Sequence, residues 1–382
     1  MKKSNAENKP VVLQILPELE MGGVEIGTTE IADALCKAGI KNFVASKGGR
    51  LVHDLQKMKV KHFTLDLKTK NPIKIYRNSL ELEKIIKENG INIVHARSRA
   101  PAWSAYWAAK RAGAHYMTTF HGTYGLGPLG IKKYYNRVMT YGERVIAISS
   151  HIRKHLLDNY TINQDIIRPV HRCVNTLRFN PDNVTQARMI NMIEEYHIPD
   201  DKPVILLGGR ITHWKGQHLL IKALARMKNQ DFYCIIAGDE QGREKYLAYL
   251  KKLADKYGLS SRICFHGKVL DMPALMMVSN VIVSAAIEPE AFGRISVEGQ
   301  AMGKIVVASN IGGSLDTIQD GVNGKLFESN NPYSLAEALD WALTRTDAQR
   351  DKIVKAAIKN VANNFTKEIM CDKTIAVYKE LV

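Results

Sequence analysis

The sequence predicts an α/β protein built of two Rossmann-like domains of similar size. Short apolar or β-branched runs alternate with longer amphipathic segments, which is typical of parallel sheets covered by helices on both faces. This alternation restarts after a polar, proline-bearing stretch at residues 168–182. A chain of 382 residues is also long enough for two domains. We therefore predict a domain boundary near residue 175.

The first half contains six predicted strands and three predicted helices. The strands are expected at residues 11–16, 42–45, 60–65, 91–95, 116–120 and 144–148. The helices are expected at residues 24–37, 72–89 and 102–111. Pro72 suits the first turn of its helix, because the N–H group that proline lacks has no helical partner there.

The second half repeats the pattern. Strands are expected at residues 204–207, 233–237, 263–265 and 281–284, and helices at residues 216–227, 243–257, 292–302, 334–346 and 348–363. Open α/β sheets bind ligands outside the carboxyl ends of their strands. Two such sheets facing each other would share one central cleft, so the residues that follow each strand are the candidates for function.

The composition favours a soluble enzyme. Hydrophobic residues make up 45% and charged residues 24%, and the five cysteines form no C-x-x-C pair. No apolar stretch approaches 18 residues, so no transmembrane segment is expected, and the run at residues 11–16 is too short for a signal-peptide core.

The positive charge is concentrated in the first half of the chain. Residues 1–180 contain 29 Lys and Arg but only 14 Asp and Glu, whereas the remainder contains 25 and 24. A basic surface confined to one domain indicates an anionic partner such as lipid headgroups, a phosphorylated glycolipid or nucleic acid. The alternative is a solvated basic surface with no specific partner.

A glycine-rich segment at residues 22–29 reads GGVEIGTT. It lacks the lysine of a P-loop and the spacing of a nicotinamide-binding fingerprint, which argues against both. Gly22 and Gly23, between a strand and a helix, could let the backbone approach an anionic ligand. A plain tight turn is the alternative, and the residues alone leave both open.

The strongest pattern is EPEAFGRISVEGQAMG at residues 288–303. If Phe292 begins a helix, the backbone N–H groups of Phe292 and Gly293 would lie at its positive end and could hold a phosphate or a sugar hydroxyl. Glu290 and Glu298 could accept hydrogen bonds from sugar hydroxyls and from a ribose diol, respectively.

A second pattern, GGRITHWKG at residues 208–216, follows the first strand of the second half. Arg210 and Lys215 could stabilise a departing diphosphate where no divalent cation is bound. His121, in the segment TTFHGT, could bind the transferred sugar or act in proton transfer. In isolation, Arg210 and Lys215 could instead be solvated cations, and His121 could be a structural histidine.

A weaker feature, HARSRAPAWSAYW, occupies residues 95–107. Arg97 and Arg99 follow a strand and could meet an anionic acceptor, and Trp103 begins the aromatic segment beside them. The tryptophans at 103 and 107, one helical turn apart, could instead belong to the core.

Together these motifs resemble the retaining glycosyltransferases of family 4, which have the GT-B fold. The resemblance extends over nearly the whole chain, through MGGVE at residues 21–25, FHG at 120–122, the Arg210 and Lys215 segment, HGKV at 266–269 and PEAFG…VE at 289–298. It implies two Rossmann-like domains facing a central cleft. The N-terminal domain would comprise residues 1–175, completed by helix 366–382, and the C-terminal domain residues 176–365.

The resemblance also implies roles for individual residues. Arg210 and Lys215 would neutralise the diphosphate of a nucleotide sugar, Glu298 would bind its ribose, and Glu290 and His121 would contact the sugar. The remaining implied donor contacts are backbone groups, at Gly22, Gly23, Lys268, Val269, Ala291, Phe292 and Gly293. Retention without a protein nucleophile and without a metal ion or other cofactor is implied as well.

Within the family, the chain is similar to bacterial enzymes that build lipopolysaccharide cores or other cell-surface glycans. This similarity implies a hexosyl transfer from a UDP- or GDP-linked sugar to an anionic lipid-linked acceptor, and a cytoplasmic protein bound peripherally to the inner face of the cytoplasmic membrane. The alternatives are another nucleotide-sugar enzyme, such as an epimerase, and a basic nucleic-acid-binding protein. The last is disfavoured because no nucleic-acid-binding module is present.

Overall fold

The structure, a computed structural model, describes residues 9–382 and divides into two compact units. The N-terminal unit comprises the described residues up to His171 together with Glu368–Val382, and the C-terminal unit comprises Arg172–Lys367. The C-terminal helix thus groups with the N-terminal unit. Across residues 9–382, no helix combines the length and the apolar character needed to cross a bilayer.

Each unit contains one parallel sheet. In the N-terminal unit the strands are β1 (Val11–Ile15), β2 (Lys41–Ser46), β3 (Lys61–Thr64), β4 (Ile93–Ala96), β5 (His115–Phe120), β6 (Arg144–Ala147) and β7 (Ile167–Pro169). In the C-terminal unit they are β8 (Val204–Gly208), β9 (Tyr233–Ala237), β10 (Ile263–His266), β11 (Val281–Ser284), β12 (Ile305–Ser309) and β13 (Lys325–Phe327).

Helices connect the strands. They are α1 (Gly23–Lys37), α2 (Val52–Lys57), α3 (Pro72–Asn89), α4 (Ala102–Ala112), α5 (Ile131–Asn136), α6 (Ser150–Asn159), α7 (Gln186–Tyr196), α8 (Gln217–Leu224), α9 (Glu244–Lys256), α10 (Met272–Met277), α11 (Arg294–Ala301), α12 (Ser314–Thr317), α13 (Pro332–Leu343), α14 (Asp347–Asn364) and α15 (Lys367–Lys379).

The strand orders are those of doubly wound sheets. The order is β3-β2-β1-β4-β5-β6-β7 in the N-terminal unit and β10-β9-β8-β11-β12-β13 in the C-terminal unit. The direction of winding therefore reverses between β1 and β4, and again between β8 and β11. Ligands bind outside the carboxyl ends of the strands at such a switch point. The predicted α/β class with two Rossmann-like units is confirmed.

Local sequence explains where the helices begin and end. The Asn71 side chain accepts hydrogen bonds from the backbone N–H groups of Ile73 and Lys74, and α3 ends at Gly90, which adopts a left-handed φ of 63°. Helix α14 begins with a capping box between Thr346 and Gln349.

The structure contains elements that the sequence pattern did not predict. Helices α6 and α7 and strand β12 are examples, although all five residues of β12 are buried. Strand β12 reads IVVAS, a short buried run of the same kind as the predicted strand at residues 281–284, so the same signal identifies it. Strand β7 was not predicted either, and it overlaps the start of the polar stretch at residues 168–182.

Helix α15 completes the core of the N-terminal unit. The Tyr378 hydroxyl and Nδ1 of His95 form a hydrogen bond of 2.7 Å, and Nε2 of His95 and the Thr119 hydroxyl form another of 2.7 Å. All three side chains are buried, and burial holds the pKa of His95 well below its usual value. One buried polar chain therefore connects α15 to β4 and β5.

Candidate active site

The predicted donor-binding residues of the C-terminal unit follow β8, β10 and β11 at their carboxyl ends. Strands β8 and β11 are neighbours in the sheet, whereas β10 lies two strands away from β8. The structure accordingly brings Lys215, after β8, into contact with Glu290, after β11. Lys268 and Val269 follow β10, nearer the edge of the sheet, and Lys268 is exposed.

An ion pair between Lys215 and Glu290 forms the centre of the site. The Lys215 Nζ lies 2.7 Å from Oε2 of Glu290, and the two side chains are only 16% and 13% exposed. The other carboxylate oxygen, Oε1 of Glu290, is buried and has no hydrogen-bond partner among the described residues. A buried acceptor oxygen without a partner is costly unless a ligand supplies a donor.

Trp214 carries two cations on its indole ring. The Nζ of Lys215 lies 4.8 Å from the ring centroid, and the guanidinium carbon of Arg210 lies 5.9 Å from it. Arg210 is exposed, and its backbone carbonyl accepts a hydrogen bond of 2.9 Å from the Gln217 side chain. The loop therefore presents one half-buried and one exposed positive charge on the same aromatic surface.

The backbone of this loop is packed against the segment that follows β11. Gly216 has a φ of 72°, and a Cβ atom there would overlap the carbonyl oxygen of Ala285. The backbone N–H of Ile287 also donates to the carbonyl of Trp214 at 2.8 Å. Close backbone contact of this kind requires glycine, and it fixes Lys215 relative to the segment that carries Glu290.

The helix predicted at residues 292–302 begins later than expected. Helix α11 starts at Arg294, with Gly293 as its N-cap at a left-handed φ of 76° and no side chain capping the end. The interpretation of Phe292 as the first helical residue is therefore wrong, because the chain turns sharply at Gly293. Phe292 is buried, with its ring 5.6 Å from that of Phe365, and Ala291 is half-buried beside it.

Glu298 lies on α11, one turn after its start. Its carboxylate accepts a hydrogen bond of 2.8 Å from the Arg294 guanidinium, and the residue is largely buried. Burial raises the pKa of Glu298, while the positive charges of Arg294, Arg178 and Lys215 oppose the rise. Lys215 is thus close enough to act on Glu298 as well as on Glu290.

Two glycines that the sequence reasoning missed support the loop around Glu290. The backbone N–H of Gly313 donates to the Glu290 carbonyl at 2.8 Å. A Cβ atom at Gly313 would overlap Phe292, and one at Gly312 would press on the backbone of Glu290. A Gly-Gly pair that follows a buried strand after two intervening residues is the signal that could have identified them.

In the N-terminal unit, the predicted glycines lie at the start of α1. Gly22 is the N-cap and Gly23 the first helical residue, and the end of the helix has no side-chain cap. The Glu25 carboxylate folds back so closely that a Cβ atom at Gly22 would overlap it. Only the flexible end of the Glu25 side chain occupies that space, and Gly22 has a φ of −92° that any residue can adopt, so the turn does not require glycine. A contact of Gly22 or Gly23 with a donor stays a prediction.

Arg97 occupies a different environment from the one predicted. It is only 3% exposed, and burial lowers its pKa while Tyr378, Cys371 and Glu30 favour its charged form. The Arg97 side chain is therefore enclosed by the core and α15. Its burial does not fit the predicted contact with an acceptor in solution, because a guanidinium that faces protein on all sides cannot also face a glycan.

The remaining candidates of the N-terminal unit are partly accessible. Arg99 is half-buried, donates to the Asn136 side chain at 3.1 Å and lies over the ring of Tyr124. Trp103 is half-buried, and its indole N–H donates to the carbonyl of Tyr135 at 3.0 Å. His121 is half-buried and directly follows β5. Their predicted roles stay predictions.

Comparison with known proteins decides the family. A family model described as glycosyl transferases group 1 matches residues 189–360, and one described as glycosyltransferase family 4 matches residues 21–178. A crystal structure of a glycosyltransferase from Rickettsia africae is 41% identical over 98% of this chain and 99% of its own, with a TM-score of 0.90.

This chain is a GT-B glycosyltransferase. Other GT-B structures share the fold at lower identity, among them HepE of Anabaena in complex with UDP, at 21% identity over 95% of this chain and 98% of its own, with a TM-score of 0.82. An uncharacterized glycosyltransferase of Methanocaldococcus jannaschii is 28% identical over 62% of this chain. The alignment spans about 60% of that relative's length. The resemblance inferred from the motifs is confirmed.

Proposed function

We propose that this glycosyltransferase transfers a hexosyl group, with retention of anomeric configuration, from a UDP- or GDP-linked sugar to a lipid-linked or lipopolysaccharide-type glycan. The observation that carries the proposal is the Lys215–Glu290 pair, in which Oε2 binds the ammonium group and the buried Oε1 has no partner among the described residues. Such an oxygen is suited to accept a sugar hydroxyl, while the adjacent cation is suited to a phosphate.

The proposed reaction needs no protein nucleophile. The bond between the anomeric carbon and the phosphate oxygen breaks, and a bond from the same carbon to the acceptor oxygen forms on the same face of the sugar. The acceptor hydroxyl gives its proton to the departing phosphate. Lys215 and Arg210 would stabilise the negative charge that develops on that phosphate, so neither a metal ion nor another cofactor is proposed.

Glu298 is proposed to bind the ribose of the donor. Its carboxylate lies on α11, where Arg294 occupies one oxygen at 2.8 Å. An ionised carboxylate has several acceptor sites, so a hydroxyl pair could bind beside that contact. The Anabaena structure holds UDP, which makes UDP the first nucleotide to test. Contacts from Lys268, Val269, Gly22, Gly23 and His121 to the donor stay predictions.

The acceptor is proposed to be anionic and membrane-borne. The support is electrostatic: residues 1–180 hold 29 basic and 14 acidic side chains, and Arg99 is partly accessible after β4. Such a surface attracts anionic lipid headgroups or a phosphorylated glycolipid. Peripheral attachment to the inner face of the cytoplasmic membrane is part of this proposal.

The test is titration calorimetry of UDP, GDP and ADP and their common sugars, in the presence of a chelator. Native protein is expected to bind one nucleotide with a micromolar Kd, and Glu298→Ala and Lys215→Ala are expected to weaken that binding tenfold or more. Lys251→Ala, on the exposed surface of α9, is the matched control and should bind as the native protein does.

Four outcomes would contradict the proposal. Failure of the folded protein to bind any nucleotide would remove the donor site. Binding that requires a divalent cation would remove the metal-independent chemistry. Turnover of a nucleotide sugar without any acceptor would favour an epimerase, and steeply salt-dependent binding to RNA or DNA, without nucleotide binding, would favour a nucleic-acid-binding protein.

A further inference from the structure

An aromatic groove in the N-terminal unit is separate from the donor-binding residues described above. It lies between the start of α3, the outer side of α4 and the segment that includes α5, and it has a volume of about 640 Å³. Its lining is mostly aromatic, with two cations, and consists of Lys70, Pro72, Ile75, Trp103, Trp107, Tyr134, Tyr135, Arg137 and Tyr141. Aromatic rings line it on two sides, with those of Trp103 and Trp107 5.3 Å apart.

Helix α3, which forms one wall, is apolar on two sides. Its inner side, with Ile75 and Leu82, is buried in the core. Its outer side exposes Ile73 by 65%, Tyr76 by 54% and Leu80 by 44%. These three residues follow the i, i+3, i+7 spacing of a single helical face. A surface helix normally carries polar residues there, so this second apolar stripe is not explained by the core of the unit.

The opposite wall carries exposed apolar side chains as well. Ile131 and Tyr134 are three residues apart on α5 and are 67% and 69% exposed. Tyr134 also lines the groove. Helices α3 and α5 thus both contribute to the groove lining, through Pro72 and Ile75 and through Tyr134, and both also carry exposed apolar side chains. We refer to the exposed apolar residues of these two helices together as the groove face.

The groove face is basic as well as apolar. Residues 70–80 contain Lys70, Lys74 and Arg77, residues 131–141 contain Lys132, Lys133 and Arg137, and neither segment contains an acidic residue. Among the described residues, these six cations form one salt bridge, a long and exposed ion pair from Lys74 to Asp66 at 3.8 Å. An exposed pair of this kind leaves the lysine available to another anion.

We infer that the groove face docks on a bilayer that contains anionic lipids. Aliphatic and tyrosine side chains on an exposed face can enter the interface between headgroups and acyl chains, while lysine and arginine extend toward lipid phosphates. A protein partner would also bury apolar groups, but six cations with a single exposed acidic partner, Asp66, favour a uniformly negative surface. This inference deepens the proposed function, since it rests on the proposal that the acceptor is membrane-borne.

The groove face is connected to Arg99, the accessible candidate for the acceptor. The Trp103 indole donates to the carbonyl of Tyr135, and the Tyr135 hydroxyl donates to the carbonyl of Ala100 at 3.4 Å. Arg99 itself donates to Asn136, the residue after Tyr135. The groove lining is therefore hydrogen-bonded to Ala100, the residue after Arg99, and lies next in sequence to the Asn136 partner of Arg99, which suits an acceptor that is presented from a membrane.

The test is co-sedimentation with vesicles of phosphatidylcholine alone or with about 30% phosphatidylglycerol, at low and at physiological salt. Native protein is expected to bind only the anionic vesicles, and less at higher salt. The variant Ile73→Ser/Tyr76→Ser/Tyr134→Ser is expected to reduce the partition coefficient at least tenfold. Lys70→Gln/Lys74→Gln/Arg137→Gln should reduce it by about fivefold per cation removed.

The matched control is Ile190→Ser/Tyr249→Ser, which removes exposed apolar side chains from the C-terminal unit. It should bind vesicles as the native protein does. Native protein that ignores anionic vesicles, or a groove-face variant that binds them as tightly as native, would overturn the inference. Thermal unfolding and UDP calorimetry on every variant show that each is folded, and they separate the outcomes, because loss of UDP binding bears on the proposed function alone.

Discussion

The Lys215–Glu290 pair predicts that stability and catalysis respond differently to the same substitutions. Lys215→Met removes the ammonium group and leaves the Glu290 carboxylate buried, with neither oxygen bonded to another described residue. Glu290→Gln removes the carboxylate charge and leaves the half-buried Lys215 ammonium group without its counter-charge. The double variant removes both charges, so the unpaired charge that destabilises each single variant is absent.

The geometry sets the expected magnitude. At the 2.7 Å separation of Nζ and Oε2, the attraction between two unit charges is roughly 6 kcal/mol for an effective dielectric constant of about 20. Desolvation of two side chains that are 16% and 13% exposed cancels most of this attraction. We therefore expect each single variant to lose about 2 kcal/mol of unfolding free energy, and the pair to show a coupling energy of about 3 kcal/mol, so that the double variant loses only about 1 kcal/mol.

The second substitution should restore stability but should not restore catalysis. If Lys215 stabilises the departing diphosphate, its loss should cost about 3–4 kcal/mol of transition-state stabilisation, or a 100- to 1000-fold lower kcat. Glu290→Gln should lower kcat/KM as well, because an amide cannot replace an ionised acceptor. The double variant should be as stable as the native protein to within about 1 kcal/mol and remain inactive.

The assays are urea unfolding for stability and release of the nucleoside diphosphate for activity, on all four proteins of the double-mutant cycle. Additive losses of stability would show that the two side chains do not interact as the structure indicates. A Lys215→Met variant within tenfold of native kcat would refute the assignment of Lys215 to the leaving group, even if the stability cycle behaves as expected.

Three further predictions concern single groups. Burial raises the pKa of Glu298, so the UDP affinity of the native protein should fall as the pH decreases toward that pKa. Calorimetry should show a weaker dependence of UDP affinity on pH for Glu298→Gln. The same pH dependence in both proteins would contradict this prediction. Gly216→Ala should lower the unfolding free energy, measured in urea, by about 3 kcal/mol or more, because its Cβ would overlap the Ala285 carbonyl at a φ of 72°. The control Gly258→Ala has a similar φ of 66° but no atom within 4 Å of the new Cβ, so it should lose only about 1 kcal/mol. Equal losses in the two variants would show that the overlap is relieved. Burial lowers the pKa of Lys304 to about 8, so above that pH the native state holds fewer protons than the unfolded state. The unfolding free energy of the native protein relative to Lys304→Met should therefore rise by roughly 3 kcal/mol between about pH 8 and 10.5. A difference that does not change with pH would contradict the shift.

Periodic segments were the part of the fold that the sequence predicted best. The sequence indicates both ends of helix α3, because Pro72 lies in its first turn and Gly90 follows its last turn. Strand β12 was missed although its short apolar run is of the same kind as the runs that predicted β8 and β11, so the sequence did contain its signal. The predicted start of α11 was two residues early, because the left-handed turn at Gly293 is decided by packing and not by helix propensity.

For the site, sequence reasoning selected charged residues more successfully than it placed them. It named Lys215 and Glu290 but could not predict their direct contact, which depends on β8 and β11 being neighbours in the sheet. Arg97 and Arg99 looked equivalent in sequence, two residues apart after one strand. The structure separates them, because Arg97 lies against the distant helix α15 while Arg99 remains accessible.

The position of α15 in the N-terminal unit has a consequence for biosynthesis. Ribosomes add about 5–20 residues per second, so roughly 10–40 s separate the emergence of His171 from that of Glu368. Throughout this interval His95 has Thr119 as a partner but lacks Tyr378, and the core of the first-made unit lacks one of its helices. The C-terminal unit, by contrast, is synthesised without interruption. The N-terminal unit is therefore begun before the C-terminal unit and completed after it, and a nascent chain that stops before residue 378 leaves it unfinished.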